Sequence, residues 1–293
     1  MTRNKKRALT GILFILPGLI SYLLWTIYPI LNSFFMSMFK WNINPKIPNQ
    51  FIGIENYINL FKDEKFYTAL INTLKYTVVT VPGQLILGLI IAILLNRKAK
   101  GSTFFRLLYY LPVVTSWVVV SVLFQYLFSS RGGMVNYILK DILHFIPKNI
   151  KWLSDPSKAM IPIYILGIWK GIGWSMLIFL AGLQGIPKIY YEAAQLDGAS
   201  SWKQVKHITL PLLRPTMIFQ IVMLTIGGFN VFLSVFVMTG GGPRGSTEVL
   251  SSYMFKEAFS YFHFGYASAI SFVFFIIVFT ISQIQRKFLN KDI

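Results

Sequence analysis

The sequence predicts an all-α integral membrane protein with six transmembrane helices, and three observations carry that reading. Hydrophobic residues make up 55% of the 293-residue chain and charged residues 13%, about half the charged share of a soluble protein. All but a few of the charges fall between apolar runs of the length a helix needs to cross a bilayer, about 20 residues. The 28 Lys and Arg against 10 Asp and Glu, a net charge of +18, are unevenly divided among the segments between those runs. In a soluble protein such an excess points to nucleic acid; this placement points to a membrane surface and no nucleic acid.

The apolar runs cover residues 9–28, 70–95, 107–128, 160–183, 212–238 and 264–284, and none contains Asp or Glu. Backbone amides must be paired internally in hydrocarbon and the runs lack the alternation of barrel strands, so each is read as a helix. The first follows Arg3-Asn-Lys-Lys-Arg7 and continues through Trp25 and Tyr28 without a small-residue cleavage pattern, so it is expected to remain as helix one. Pro17-Gly18 predicts a bend in it. The segment after it, 39–69, with Trp41, Pro45, Pro48 and an aromatic-rich stretch from Phe51 to Phe61, reads as an ordered cap at the membrane interface. Lys75, near the outer end of the second run, is placed to snorkel. Segment 129–159 turns at Arg131-Gly132-Gly133, Pro147 and Pro156.

With the amino terminus inside, the inside segments hold fifteen basic residues: Arg3, Lys5, Lys6, Arg7; Arg97, Lys98, Lys100, Arg106; Lys188, Lys203, Lys206, Arg214; Arg286, Lys287 and Lys291. The longer outside segments, 39–69, 129–159 and 239–263, hold eleven. This bias predicts both termini cytoplasmic.

Several chemistries are excluded. There is no cysteine, so no disulfide, thiolate metal site or cysteine nucleophile. His144, His207 and His263 are far apart and none opens an H-E-x-x-H motif, so no metal site is expected. No G-x-x-x-x-G-K-[ST] occurs, and Gly240-Gly241-Gly242-Pro243 lies outside, where it reads as a turn.

The inside segment 184–211 reads as two short helices. Pro187 suits a first turn, Glu192 sits where the helix dipole favours an anion, and Asp197-Gly198 ends the first helix with Gly in a left-handed conformation. Ala199, Trp202, Val205 and Ile208 recur every three residues as the apolar face of the second, and Leu210-Pro211 turns the chain back into the membrane. Without further information this is an amphipathic connector on the membrane surface.

The same segment resembles the signature of binding-protein-dependent ABC importer permeases, E-A-A, three residues, G, nine residues, I-x-L-P: Glu192, Ala193, Ala194, Gly198, Ile208, Leu210 and Pro211 stand at all of those spacings. Trp169-Lys-Gly-Ile-Gly-Trp174, Phe229-Asn230 and Thr239-Gly-Gly-Gly-Pro243 are similar to the carbohydrate branch, of maltose-type and glycerol-3-phosphate-type permeases. The resemblance implies a type I ABC importer permease fold spanning 1–293 as one transmembrane domain in a bacterial or archaeal plasma (inner) membrane. It implies a non-catalytic subunit whose 184–211 loop, including Asp197, couples to an ATPase. The partners implied are a second permease subunit in a heterodimer, two ATPase subunits that bind ATP and Mg, and an extracytoplasmic solute-binding protein. No cofactor is expected on this chain.

A polyhydroxylated ligand needs flat apolar faces and a few amide or hydroxyl groups at membrane depth. Trp169 and Trp174 flank Gly171 and Gly173, and Gly227-Gly228-Phe229-Asn230 sets one amide among small residues, although close helix packing alone also favours this composition. By position relative to the signature, the resemblance implies that Trp174, Gly228, Asn230 and Val231 lie near the sugar pocket. Lys170, ten residues into the fourth run, either pairs with carbonyls or a neighbouring subunit, or contacts the ligand. The alternatives are an ion-gradient carrier or channel subunit, which would ordinarily carry an acidic residue or imidazole at depth, and, within the family, glycerol-3-phosphate or a polyol in place of a sugar.

Overall fold

A computed structural model describes residues 3–42, 46–96 and 101–289. Pro45, Arg97, Lys98, Lys100 and Lys291 lie outside the described residues. Helix one is longer than its apolar run: α1 (Arg3–Tyr22) and α2 (Tyr28–Ser37) are joined by a π-helical turn, Leu23–Ile27. The regular helix continues through Pro17, and the irregular turn comes later, where the Tyr28 N–H reaches the Leu23 carbonyl. Pro29 explains its place. It has no N–H for the Trp25 carbonyl four residues back, and its ring crowds that carbonyl, so an extra residue enters the turn. Within Gly11–Ser37 the most apolar stretch buries nothing against the chain, which leaves it for lipid or another subunit.

Next come β1 (Phe39–Lys40) and β2 (Gln50–Phe51), an antiparallel pair in the register Phe39↔Phe51, and α3 (Glu55–Leu60). α4 (Glu64–Asn96) starts earlier than the apolar run because Glu64 in its first turn is favoured by the helix dipole. α5 (Ser102–Val114) and α6 (Trp117–Leu127) replace the third predicted span: the two meet at 95° across Thr115–Ser116, whose backbone is extended. α7 (Met134–Tyr137) and a π turn, Ile138–Ile142, lie in the next segment, followed by α8 (Met160–Gln184), α9 (Ile189–Leu196), α10 (Ser201–Gln204), a π turn, Val205–Thr209, and α11 (Leu210–Leu212). The fifth predicted span is α12 (Arg214–Phe229) and α13 (Leu233–Met238), interrupted at 230–232. α14 (Leu250–Phe259) and α15 (Phe264–Leu289) close the chain. Among the described residues five helices are long and apolar enough to cross a membrane, six if the bent α5–α6 pair is one span.

The chain divides into two compact units, Met1–Asp63 with Met254–Phe275 and Glu64–Tyr253 with Ile276–Ile293. In the first, the cap is ordered by side-chain amides and hydroxyls. Asn56 Nδ2 donates to the Ser37 and Phe39 carbonyls at 2.8 and 3.2 Å, and Ser37 Oγ meets the Tyr57 hydroxyl at 2.7 Å. Gly265 lets α15 run against the Phe39 carbonyl, where a Cβ would collide.

In the second unit, α4 packs on α8. Thr73, Thr77 and Thr80 of α4 are buried against Leu250, Gly228 and Gly167 respectively and satisfy their hydroxyls on the carbonyls of Ala69, Thr73 and Tyr76 at 2.8 to 2.9 Å, the usual way to hide a hydroxyl in hydrocarbon. One apolar core gathers Tyr76, Phe124, Ile163, Leu166 and Val235, and another gathers Ala92, Met176, Phe179, Leu183 and Leu213. The 129–159 segment is stitched by Asn136, whose amide donates to the Ser129 and Ile150 carbonyls and accepts from Ile150 N and Trp152 Nε1, all at 3.0 to 3.2 Å. Asp155 closes its last turn. Bonds from Lys158 Nζ at 2.6 Å and from Ser157 hold its carboxyl down to about 2.

Candidate functional site

A cavity of about 550 Å³ opens where the two interrupted spans meet α4 and α8. Non-helical backbone at membrane depth is tolerated where it lines a cavity, and both breaks do so: Val113 and Trp117 flank the first, and Asn230, Val231 and Phe232 form the second. The cavity is also made of missing side chains. A Cβ at Gly171 would run into the Gln84 amide, and one at Gly228 would lie 2.9 Å from Thr77 Oγ1. Its walls are apolar and aromatic, with amides from Gln84 and Asn230. Gln84 Nε2 donates to the Gly167 carbonyl at 3.1 Å and Asn230 Nδ2 to the Ile226 carbonyl at 2.8 Å, and no described residue donates to either amide oxygen. Each therefore offers an acceptor.

Of the six residues predicted for a pocket, Trp174, Gly228, Asn230, Val231 and Lys170 line this cavity. Trp169 does not. Its ring lies 5.5 Å from that of Phe124, because five residues along α8 turn it about 140° from Trp174. Lys170 is 4% exposed and donates to three carbonyls. Sequence reasoning missed Gln84 and Trp117, and both had a signal. Pro82-Gly83-Gln84 sets an amide in mid-span, and Pro112 followed by Thr115-Ser116 marks a helix that ends within an apolar run.

The 184–211 segment forms the two predicted helical arms. Glu192 lies exposed in the first turn of α9, Asp197 follows its last residue, and Gly198 is left-handed at φ +71°. The Ala199 N–H bonds the Ala194 carbonyl at 2.8 Å across that turn. Ser200 caps α10 by accepting from Lys203 N, and the Tyr191 hydroxyl meets Thr209 Oγ1 at 3.0 Å, pinning one arm to the other. The apolar face differs from the threefold pattern. Ala199 precedes the helix, and the π turn at Val205 shifts the register, so Val205 and Ile208 are half-buried while Trp202 is 73% exposed. With Ile189 and Leu196, at 68% and 90%, Trp202 gives this segment an apolar surface the chain itself does not cover. Pro187 lies before the first helix, just ahead of its N-cap Lys188. Pro211 sits at the start of α11, preceded by Ile208 and Leu210 as the chain re-enters the span.

Among the described residues no group of three or more His, Asp or Glu is placed to hold a metal ion. A sequence model of binding-protein-dependent transport system inner membrane components matches residues 84–293. The probable ABC transporter permease protein YurN of Bacillus subtilis is 39% identical over 94% of this chain and 94% of its own. The lactose transport system permease protein LacF of Rhizobium radiobacter is 36% identical over 94% of this chain and 92% of its own. A chain in the crystal structure of a bacterial ABC transporter involved in the import of the acidic polysaccharide alginate superposes with a TM-score of 0.85, covering 99% of this chain and 98% of that one at 23% identity, which establishes a shared fold. None of these supports the carrier or channel alternative. The chain is a multi-pass, non-catalytic permease subunit that belongs to the family of binding-protein-dependent transport system inner membrane components.

Proposed function

We propose that this chain acts as one transmembrane permease domain of an ATP-driven importer, carrying a carbohydrate delivered by an extracytoplasmic solute-binding protein. The observation that carries the substrate class is the cavity wall: indole rings of Trp117 and Trp174 beside the acceptor amides of Gln84 and Asn230. Sugar rings stack their C–H faces on such rings and donate hydroxyls to such oxygens. The similarity to a lactose permease points the same way. The chain is one half of a heterodimeric pore, and two ATPase subunits bind ATP and Mg. The 184–211 loop, with Glu192, Ala193, Ala194, Asp197, Gly198, Ile208, Leu210 and Pro211, seats on an ATPase, and its exposed Leu196 and Trp202 suit such a contact. ATP binding and hydrolysis shift the permease between outward-open and inward-open states by differential contact at that loop.

Trp174→Ala tests the substrate class. An aromatic contact of about 0.5–1.5 kcal/mol corresponds to roughly 2–13-fold in apparent KM for uptake, while the half-exposed ring leaves assembly and basal ATP hydrolysis unchanged. Trp174→Phe keeps a flat face and is expected to retain partial transport. Uptake that falls only as the assembled complex falls would remove Trp174 from the pocket.

The proposed topology has both termini and the 184–211 loop cytoplasmic in a bacterial or archaeal plasma (inner) membrane. In this cysteine-free chain Ser200→Cys gives a single thiol. It is expected to resist a membrane-impermeant reagent in intact cells and to react in inverted vesicles; the reverse pattern would invert the topology.

A further inference from the structure

Among the described residues Lys170 is the one charged side chain in the cavity wall, and its ammonium is fully committed to backbone carbonyls. Nζ lies 2.6 Å from the Pro112 carbonyl, 3.3 Å from that of Val113 and 2.7 Å from that of Thr115. Those acceptors belong to the end of α5 and the residue after it. The last carbonyls of a helix have no internal donor, and the extended backbone at Thr115–Ser116 carries the next amides away from them. An ammonium has three N–H donors, so donors and acceptors match with none left over for a ligand. Its charge also suits the negative end of the α5 dipole. The same nitrogen sits 4.9 Å from the centre of the Trp117 ring, the first residue of α6. One cation thus holds both sides of the break, by hydrogen bonds on one and by the ring face on the other.

Resting on the reading of this cavity as the transport site, we propose that Lys170 is a positioning residue: it fixes the α5–α6 break and so sets Val113 and Trp117 in the wall, without contacting the carbohydrate. Removing it would leave the α5 carbonyls without their donor, and the break would rearrange to satisfy them.

A thiol placed in the break reports this without any ligand. Ser116→Cys is introduced into the cysteine-free chain, the transporter is produced with its own partner subunits, and the rate of modification by a water-soluble methanethiosulfonate is followed in right-side-out and inverted vesicles. Lys170→Met is expected to change that rate at least threefold and to lower uptake at least tenfold, with the complex still assembled and basal ATP hydrolysis retained. Lys170→Arg, which keeps charge and several donors, is expected to restore part of both. A wild-type labelling rate in Lys170→Met alongside lost uptake would assign Lys170 to the ligand and overturn the proposal, as would wild-type labelling with wild-type uptake. Should Lys170→Met fail to assemble, Lys170→Arg decides: a labelling shift of about twofold supports positioning, and unchanged labelling overturns it. A labelling shift in a transporter that takes up no carbohydrate would leave the Lys170 role standing and remove the substrate class instead.

Discussion

Gly198→Pro is expected to abolish uptake while the chain stays inserted in the membrane. Gly198 sits at φ +71° and its N–H donates to the Gln195 carbonyl at 3.0 Å. Proline is locked near φ −65° and has no N–H, so the turn between the two arms is lost at a cost of about 3 kcal/mol or more. That cost falls on α9, which contributes no buried residue, so the spans do not share it. Glu192→Lys separates shape from contact. Glu192 is exposed in the first turn of α9, where reversing its charge costs helix stability only about 0.5–1 kcal/mol, too little to unfold the arm. Lost uptake from this variant therefore reports a lost partner contact. ATPase copurification and ligand-stimulated hydrolysis are the measurements, and wild-type values for both variants would end the coupling role of the loop.

The helices themselves were legible because bilayer thickness demands long apolar runs, and that demand acts on residues contiguous in sequence. Positions set by local backbone chemistry were equally readable: the left-handed Gly198 between Asp197 and Ala199 needs no tertiary information. What escaped were breaks inside apolar runs. Averaged over a span-length window, hydropathy stays high across Thr115–Ser116 and across 230–232, so length and mean hydropathy alone do not separate a continuous helix from one bent by 95°; only the local Pro112 and Thr115-Ser116 signal does. In helix one the α assignment continues through Pro17, and the π turn comes before Pro29, which the sequence reading did not single out.

Side chains at the site divide in the same way. Lys170 is conspicuous in sequence for its depth, yet its partners lie 55 to 58 residues away on α5 and the residue that follows it, and no local pattern names them. Trp169 and Trp174 look equivalent within W-K-G-I-G-W, and only the helical rotation between them separates a ring against Phe124 from a ring in the cavity. Polarity at membrane depth does not separate wall from packing either: Gln84 and Asn230 line the cavity together with Val231 and Phe232, whereas the amide of Gln220 is fully buried away from it.

Adjacent glycines give the sharpest remaining contrast. At Gly227 a Cβ would meet no atom within 4 Å, whereas at Gly228 it would lie 2.9 and 3.1 Å from Thr77 Oγ1 and Cγ2. Both residues line the cavity from α12. Gly227→Leu therefore grows into open space, and replacing a helical glycine by leucine favours the helix by about 0.5–1 kcal/mol, so the complex is expected to assemble and melt no lower than wild type. Uptake is nonetheless expected to fall at least tenfold, more steeply for larger carbohydrates, because the side chain takes up part of a cavity of about 550 Å³. Gly228→Leu has no such room. It must push α12 away from α4 and is expected to lose about 1–3 kcal/mol of stability or more, with uptake falling in step with assembled complex. Uptake and detergent-complex melting measured side by side distinguish the two. Wild-type uptake in a fully assembled Gly227→Leu transporter would place the translocation path elsewhere, since filled space on the path cannot leave a sugar's passage unchanged.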